Sequence, residues 1–230
     1  MATAQNLIQS QLGPRHADPA SADRRTRILN AAERLFAERG YDAVTLRAIA
    51  REAGVDVALA SYHFGRKADL FEAAFMRRAE LLNKWRLKAL EAAIADAAPE
   101  PPGVRAIIDA YLFPLLNGPH LDDPAWRSYY ALVAYVNNSS AWGGKLMSRF
   151  FNPLVDRFID ALQDAVPGAD DRALYWGYHC LSGALTLAFA QTGRLDKLSG
   201  GVCQSRDLQV AHGHILDFVT AGFEQLERGD

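Results

Sequence analysis

The sequence predicts an all-α protein in two parts, an N-terminal three-helix helix-turn-helix domain and a larger C-terminal helical domain. Three observations carry that expectation. Apolar residues recur at spacings of three and four through most of the chain, runs of alternating β-branched residues are few, and Pro/Gly breaks fall at helix-length intervals. With 230 residues, half of them apolar, the chain exceeds what one small three-helix module needs, and about 150 residues remain for a domain with its own core.

Residues 1–20, with Pro14, Pro19 and mixed small polar side chains, read as a flexible arm. The first helix follows. Ser21 or Asp23 is placed to cap it, Ile28, Leu29, Ala32, Leu35 and Phe36 form its apolar face, and Gly40 stands where a helix-ending glycine belongs. Residues 45–70, TLRAIAREAGVDVALASYHFGRKADL, read as two short helices around a glycine turn. Thr45 is the N-cap of one, with Leu46, Ile49 and Ala50 inward; Ala53-Gly54 turns the chain into another beginning at Val55. If Val55, Leu59 and Phe64 point inward, Asp56, Val57, Ala58, Ser61, Tyr62 and His63 are left for a DNA groove and its walls.

A long helix then runs from about Lys67 to Ala97 through Leu70, Phe71, Phe75, Leu82, Trp85 and Leu90, and the Pro-rich segment at 98–103 ends it. Further helices are expected near 103–117, 124–138, 143–166, 170–193 and 205–228, separated by Gly118-Pro119, Asn137-Asn138, Pro167-Gly168 and a loop from Gly193 to Cys203. The domain boundaries are therefore 1–20 for the arm, 21–66 for the helix-turn-helix and 67–230 for the second domain.

The order AAERLFAERGYDAVTLRAIAREAGV followed by YHFGRKADLF resembles the DNA-binding domain of the tetracycline-repressor (TetR) family over residues 22–75. The resemblance implies a DNA-contacting arginine at Arg47, which the residues themselves put in the first turn of its helix, within reach of a base edge or phosphate. It implies backbone-gripping roles for Tyr62, His63 and Lys67; His63 is also readable as a structural histidine closing the helix. Thr45 can cap its helix and still bond a phosphate. Ser61 departs from the family pattern, where tyrosine is commoner. The recognition helix VDVALAS has few long polar side chains, so Val57 and Ala58 against thymine methyls, Arg47 at guanine and DNA shape are expected to carry specificity. Arg24, Arg25 and Arg27 are either further phosphate contacts or a solvated face.

Net charge is −2, but its distribution is uneven: residues 21–80 carry +2 and residues 81–230 carry −4, so the positive end is the helix-turn-helix end. Cys180 and Cys203 lie far apart and belong to no ligand pattern, so neither disulfide nor metal is called for, and a reduced cytoplasm is expected. No secretory signal is recognisable at the start, and the longest weakly polar run, 181–190, is too short to span a bilayer. An enzyme is not indicated. No Ser/His/Asp, P-loop or metal motif appears, no cofactor is needed, and the neighbours His179 and Cys180 point to different sides of their helix.

In the second domain, most aromatic residues are expected in the core. A polar-tipped subset, Tyr130, Trp142, Trp176 and His179, is the candidate lining of a small apolar effector site, with core packing the competing reading of each. The last two helices carry Gly177, Gly183, Ala188, Gly213, Ala221 and Gly222 among large apolar residues. The family resemblance makes them a homodimer interface; tight packing within one subunit is the alternative. The segments GRLDKLSGGVCQSRDL and YYALVAYV resemble the fatty-acid-responsive PsrA-like subgroup, which implies an acyl chain or acyl-CoA as effector. The expected function is a homodimeric, sequence-specific regulator, a repressor released from a palindromic double-stranded DNA operator by its effector. A helical small-molecule-binding protein without operator binding is the second reading.

Overall fold

The computed structural model describes residues 24–226, and every regular element among them is helical. The N-terminal unit opens with α1 (Arg24–Arg39), whose inner face is the expected Ile28, Leu29, Ala32, Leu35 and Phe36. The candidate caps Ser21 and Asp23 and the proposed arm lie outside the described residues. Helix α2 (Leu46–Glu52) starts at Thr45, whose Oγ1 accepts from the Ala48 amide at 3.1 Å.

The recognition helix α3 spans Val57–Phe64, two residues later than the sequence pattern suggested. The cause is the way α2 ends. Gly54 adopts φ 63°, the Gly54 amide bonds the Arg51 carbonyl at 3.2 Å, and the Val55 amide bonds the Ala50 carbonyl at 3.0 Å. That paired arrangement uses a left-handed residue to satisfy the last carbonyls of a helix, so Val55 finishes α2 and Asp56 becomes the N-cap of α3. Gly65, at φ 71°, closes α3 and turns the chain into α4.

Helix α4 (Lys67–Ala97) has the expected bounds and, at 31 residues, is the spine of the molecule. A rise of about 1.5 Å per residue makes it roughly 46 Å long. There follow α5 (Val104–Leu116), a 3-10 turn (Pro119–Asp122), α6 (Pro124–Asn137), a π turn (Gly143–Met147), α7 (Ser148–Ala165), α8 (Asp171–Ala190), the short α9 (Arg194–Leu198) and α10 (Leu208–Leu226). The π turn and α7 replace the single helix expected over 143–166, and α9 lies in a segment expected as loop. Helix α4 packs on α5 and α7, α6 on α8, and α10 on both α5 and α8, while α1 lies across α6. One apolar core runs through both units.

The small residues of the last two long helices divide by role. A Cβ on Gly177 would sit 2.7 Å from the Phe223 ring, so this glycine allows α8 and α10 to touch within the subunit. Gly183, Gly213 and Gly222 face open space, as does a stripe of exposed apolar side chains on the same helices: Trp176, Leu187, Val210 and Phe218. Among the described residues, no helix is long and apolar enough to cross a membrane, and no group of side chains is arranged to hold a metal ion. Cys180 and Cys203 are free and exposed.

Candidate nucleic-acid interface and ligand cavity

The outer surface of α2 and α3 collects Thr45, Arg47, Val57, Ala58, Ser61 and Tyr62, all exposed, with Tyr62 82% exposed. An aromatic ring that open to water contributes little to folding and is available to a partner. His63 is half-buried between the Tyr62 and Phe64 rings. Thr45 accepts a bond as cap through its oxygen, so its hydroxyl proton remains available as a donor. Lys67, the first residue of α4, is more constrained: its ammonium donates to the Tyr41 carbonyl at 3.0 Å and sits 4.0 Å from the Tyr41 ring centroid. Two of its three N–H groups stay uncommitted beside the α3 terminus, at a helix start where the backbone dipole also favours an anion.

Several polar links join the helix-turn-helix to the rest of the molecule, among them the Lys67 bond to Tyr41 and one from Arg77 to Asn30, and two more lie within apolar packing. Tyr41 carries one. Its amide donates to the Tyr135 hydroxyl of α6 at 3.2 Å, and its ring packs against Phe71 and Trp142. At the other, Arg78 Nε of α4 lies 3.0 Å from both carboxylate oxygens of Glu33 in α1, with its guanidinium 4.6 Å from the Trp126 ring centroid. Burial pushes the Glu33 carboxyl above its ordinary 4.5, and the Arg78 charge only partly opposes that.

A small cavity, with about 30 Å³ of enclosed space, lies in the second unit between α4, α5, α6, α7 and α8. Leu82, Leu115, Val133, Phe151, Leu185 and Phe189 supply most of its apolar wall. Its polar lining is Arg86, Tyr111, Tyr129, Asn137, Tyr178, Ser182 and Thr186, and no aspartate or glutamate borders it. Asn137 donates to Thr186, tying α6 to α8 across the cavity edge. Burial raises the Tyr129 and Tyr178 phenols well above their usual range, so both present neutral hydroxyls.

This arrangement matches known proteins over most of its length. Residues 28–74 match the family model of bacterial regulatory proteins of the tetR family, and residues 109–222 match the tetracyclin repressor-like C-terminal domain. The chain belongs to the TetR family. A curated relative, the HTH-type transcriptional regulator BetI of Rhizobium meliloti (strain 1021), is 42% identical over 76 residues, 33% of this chain and 36% of that relative. Among solved structures, a TetR-family regulator from Shewanella sp. PV-4 shares the fold with TM-score 0.59 and 15% identity, covering 85% of this chain and 97% of that one. A transcriptional regulator from Saccharomonospora viridis in complex with choline has TM-score 0.52 and 20% identity, covering 85% and 94%. The protein is thus a DNA-binding transcriptional regulator of the TetR family and not an enzyme.

Within this TetR-family regulator, Thr45, Arg47, Val57, Ala58, Ser61 and Tyr62 are exposed on α2 and α3 and His63 and Lys67 are half-buried beside them, but the four residues expected at an effector site, Tyr130, Trp142, Trp176 and His179, do not line the cavity. Tyr130 is one layer behind the wall: its hydroxyl donates to the Leu115 carbonyl at 2.7 Å and meets His120 Nε2 at 2.8 Å, and its ring stacks on Phe189 at 4.2 Å. Trp142 is under the DNA-binding unit, 4.7 Å from Phe71. Trp176, 61% exposed, and His179 pair on the outer face of α8. Aromatic spacing reported burial and amphipathicity, and neither property says which side of a helix meets a cavity. Arg86 was missed, although its position is legible: four residues from both Leu82 and Leu90, it is a charge on an otherwise apolar stripe.

Proposed function

We propose that the protein is a homodimeric repressor whose two recognition helices enter successive major grooves of a palindromic operator and leave it when an apolar effector fills the 82–189 cavity. The observation that carries this reading is the course of α4, which begins with Lys67 beside the recognition helix and continues to Leu82 and Arg86 on the cavity wall. The distance along the helix is roughly 28 Å at about 1.5 Å per residue. Helix α6 offers a second connection, since Val133 and Asn137 border the cavity and Tyr135 holds the Tyr41 amide. A ligand that re-spaces these helices therefore moves the DNA-reading unit. Half-sites lie about 34–36 Å apart, so a small change in spacing weakens simultaneous engagement.

In this assignment Arg47 reads a base edge, Val57 and Ala58 make methyl contacts, and Thr45, Ser61, Tyr62, His63 and Lys67 hold phosphates. The dimer forms through α8 and α10, whose exposed stripe includes Leu187 at 74% and Phe218 at 81%. The enclosed space of about 30 Å³ holds no more than a water-sized group, against about 300–1,000 Å³ for occupied small-molecule sites. A medium acyl chain therefore enters only by moving the lining helices apart, with any coenzyme A portion left outside, and that displacement is the movement the DNA-reading unit would feel. Fluorescence anisotropy with labelled DNA flanking the protein's own gene, repeated with added acyl chains, tests the proposal. A tenfold loss of operator affinity needs about 1.4 kcal/mol of differential affinity for the DNA-incompetent state. Binding of acyl chains with no effect on operator affinity would refute the coupling.

A further inference from the structure

Arg86 is only 3% exposed, and among the described residues it has no carboxylate within ion-pair distance. Its Nη2 donates to Asn83 at 2.7 Å, and its guanidinium lies 4.7 Å from the Tyr111 ring centroid and 5.6 Å from that of Phe151. Aromatic faces attract a cation but accept its N–H groups weakly, and Nε has no hydrogen-bond partner. Tyr129 lines the same cavity, is fully buried, and its hydroxyl is also without a partner. Buried donors left unsatisfied are costly, and a buried cation without a counter-ion more so. Two such groups border one apolar cavity that has no acid in its wall.

From this we infer that the effector is a small organic monoanion, a carboxylate on an apolar body, with Arg86 and Tyr129 donating to its oxygens. The inference rests on the reading of this cavity as the effector site and narrows its ligand class. It selects the free acid over its thioester, because a thioester carbonyl brings no charge to the guanidinium. It also excludes a quaternary ammonium such as choline, which would meet the Arg86 charge with no carboxylate to offset it.

Isothermal titration of the full-length protein with carboxylates of roughly two to ten carbons, the matching primary amides and choline tests the assignment. Carboxylates are expected to bind about 10- to 100-fold tighter than the amides, as a charge-assisted bond in a dry site requires. In Arg86→Met that preference collapses to about threefold or less, because the acids lose more than the amides. Tyr129→Phe, which keeps the shape of the core, is an independent variant: it should lower carboxylate affinity about three- to tenfold, with a smaller loss for the amides. Equal binding of acids and amides by the wild type, or tighter binding of choline, overturns the anion assignment and leaves the cavity as effector site. Failure of both acids and amides to bind removes the cavity reading and this inference together.

Discussion

Replacing Arg78 with methionine isolates the buried link between the DNA-binding unit and the rest of the molecule. The Glu33 side chain is 2% exposed and Arg78 12%, so the variant leaves a carboxylate inside the protein without its main cation. Losing one partner of a buried pair costs about 3–5 kcal/mol when the remaining charge must stay. Glu33 has a way out, which is to take a proton. At pH 7, protonating a carboxyl with the ordinary value of 4.5 costs about 3 kcal/mol, and at pH 5 less than about 1 kcal/mol. The cost of Arg78→Met is therefore capped near 3 kcal/mol at pH 7, or about 6–12 °C in Tm for a chain of this size, and shrinks towards pH 5. The sign follows from linkage. A carboxyl whose pKa is raised by folding stabilises the native state below 4.5, and that contribution is lost as pH rises through the folded value. Glu33→Gln imitates the protonated form, so it should cost about 1 kcal/mol or less, and the double variant should recover most of the Arg78→Met loss. Thermal melts at pH 7 and pH 5, at one fixed protein concentration because association shifts Tm, provide the measurement. A loss for Arg78→Met that is the same at both pH values, or a Glu33→Gln cost equal to it, would refute the reasoning.

Arg47→Ala is expected to weaken specific DNA binding by about 1–3 kcal/mol and relax preference at one base pair per half-site, whereas Lys67→Ala should weaken all sequences alike and reduce the salt slope by about one. Anisotropy titrations over several salt concentrations separate the two, and a base-specific loss for Lys67→Ala would contradict its phosphate role. Glutamate at Gly183 or Ala221, both on the open face of α8 and α10, should yield monomers in light scattering; an intact dimer for both variants moves the interface elsewhere. Burial pulls the His120 imidazole from 6.5 down to about 4, so its neutral form supports folding fully above pH 6.5, and up to about 3 kcal/mol is lost as pH falls towards 4. His120→Gln should flatten the stability profile over that interval, and an unchanged profile would remove His120 as its source.

Much of this was legible in the residues alone. The apolar stripe from Leu70 to Leu90 and the proline cluster after Ala97 defined α4 to the residue, because a long helix has many periodic positions and a hard stop. The start of α3 was not. Val55 is apolar and follows a glycine, as a first helical residue would, and only the backbone bonds to Ala50 and Arg51 reveal that this pair closes α2. The exposed surface of the helix-turn-helix was readable because its residues are close in sequence. The cavity was not, because five helices contribute to it, and whether Tyr129 or Tyr130 reaches it depends on a rotation of α6 that periodicity does not encode. Trp176 and His179 have the polar tips expected at an effector site, yet the property that sets them apart is exposure on an apolar face.

Tyr41 gives the molecule a property that matters for anyone recombining such regulators. The residue is in the DNA-reading unit, but its amide is held by Tyr135, its ring leans on Trp142, and its carbonyl anchors Lys67 at the head of the long helix. A chimera cut between residues 66 and 67 would carry the plug without its socket. Reading heads should exchange between relatives with their response to effector intact only when the partners of Tyr41 at positions 67, 135 and 142 travel with them, so the transferable unit is discontinuous in the chain.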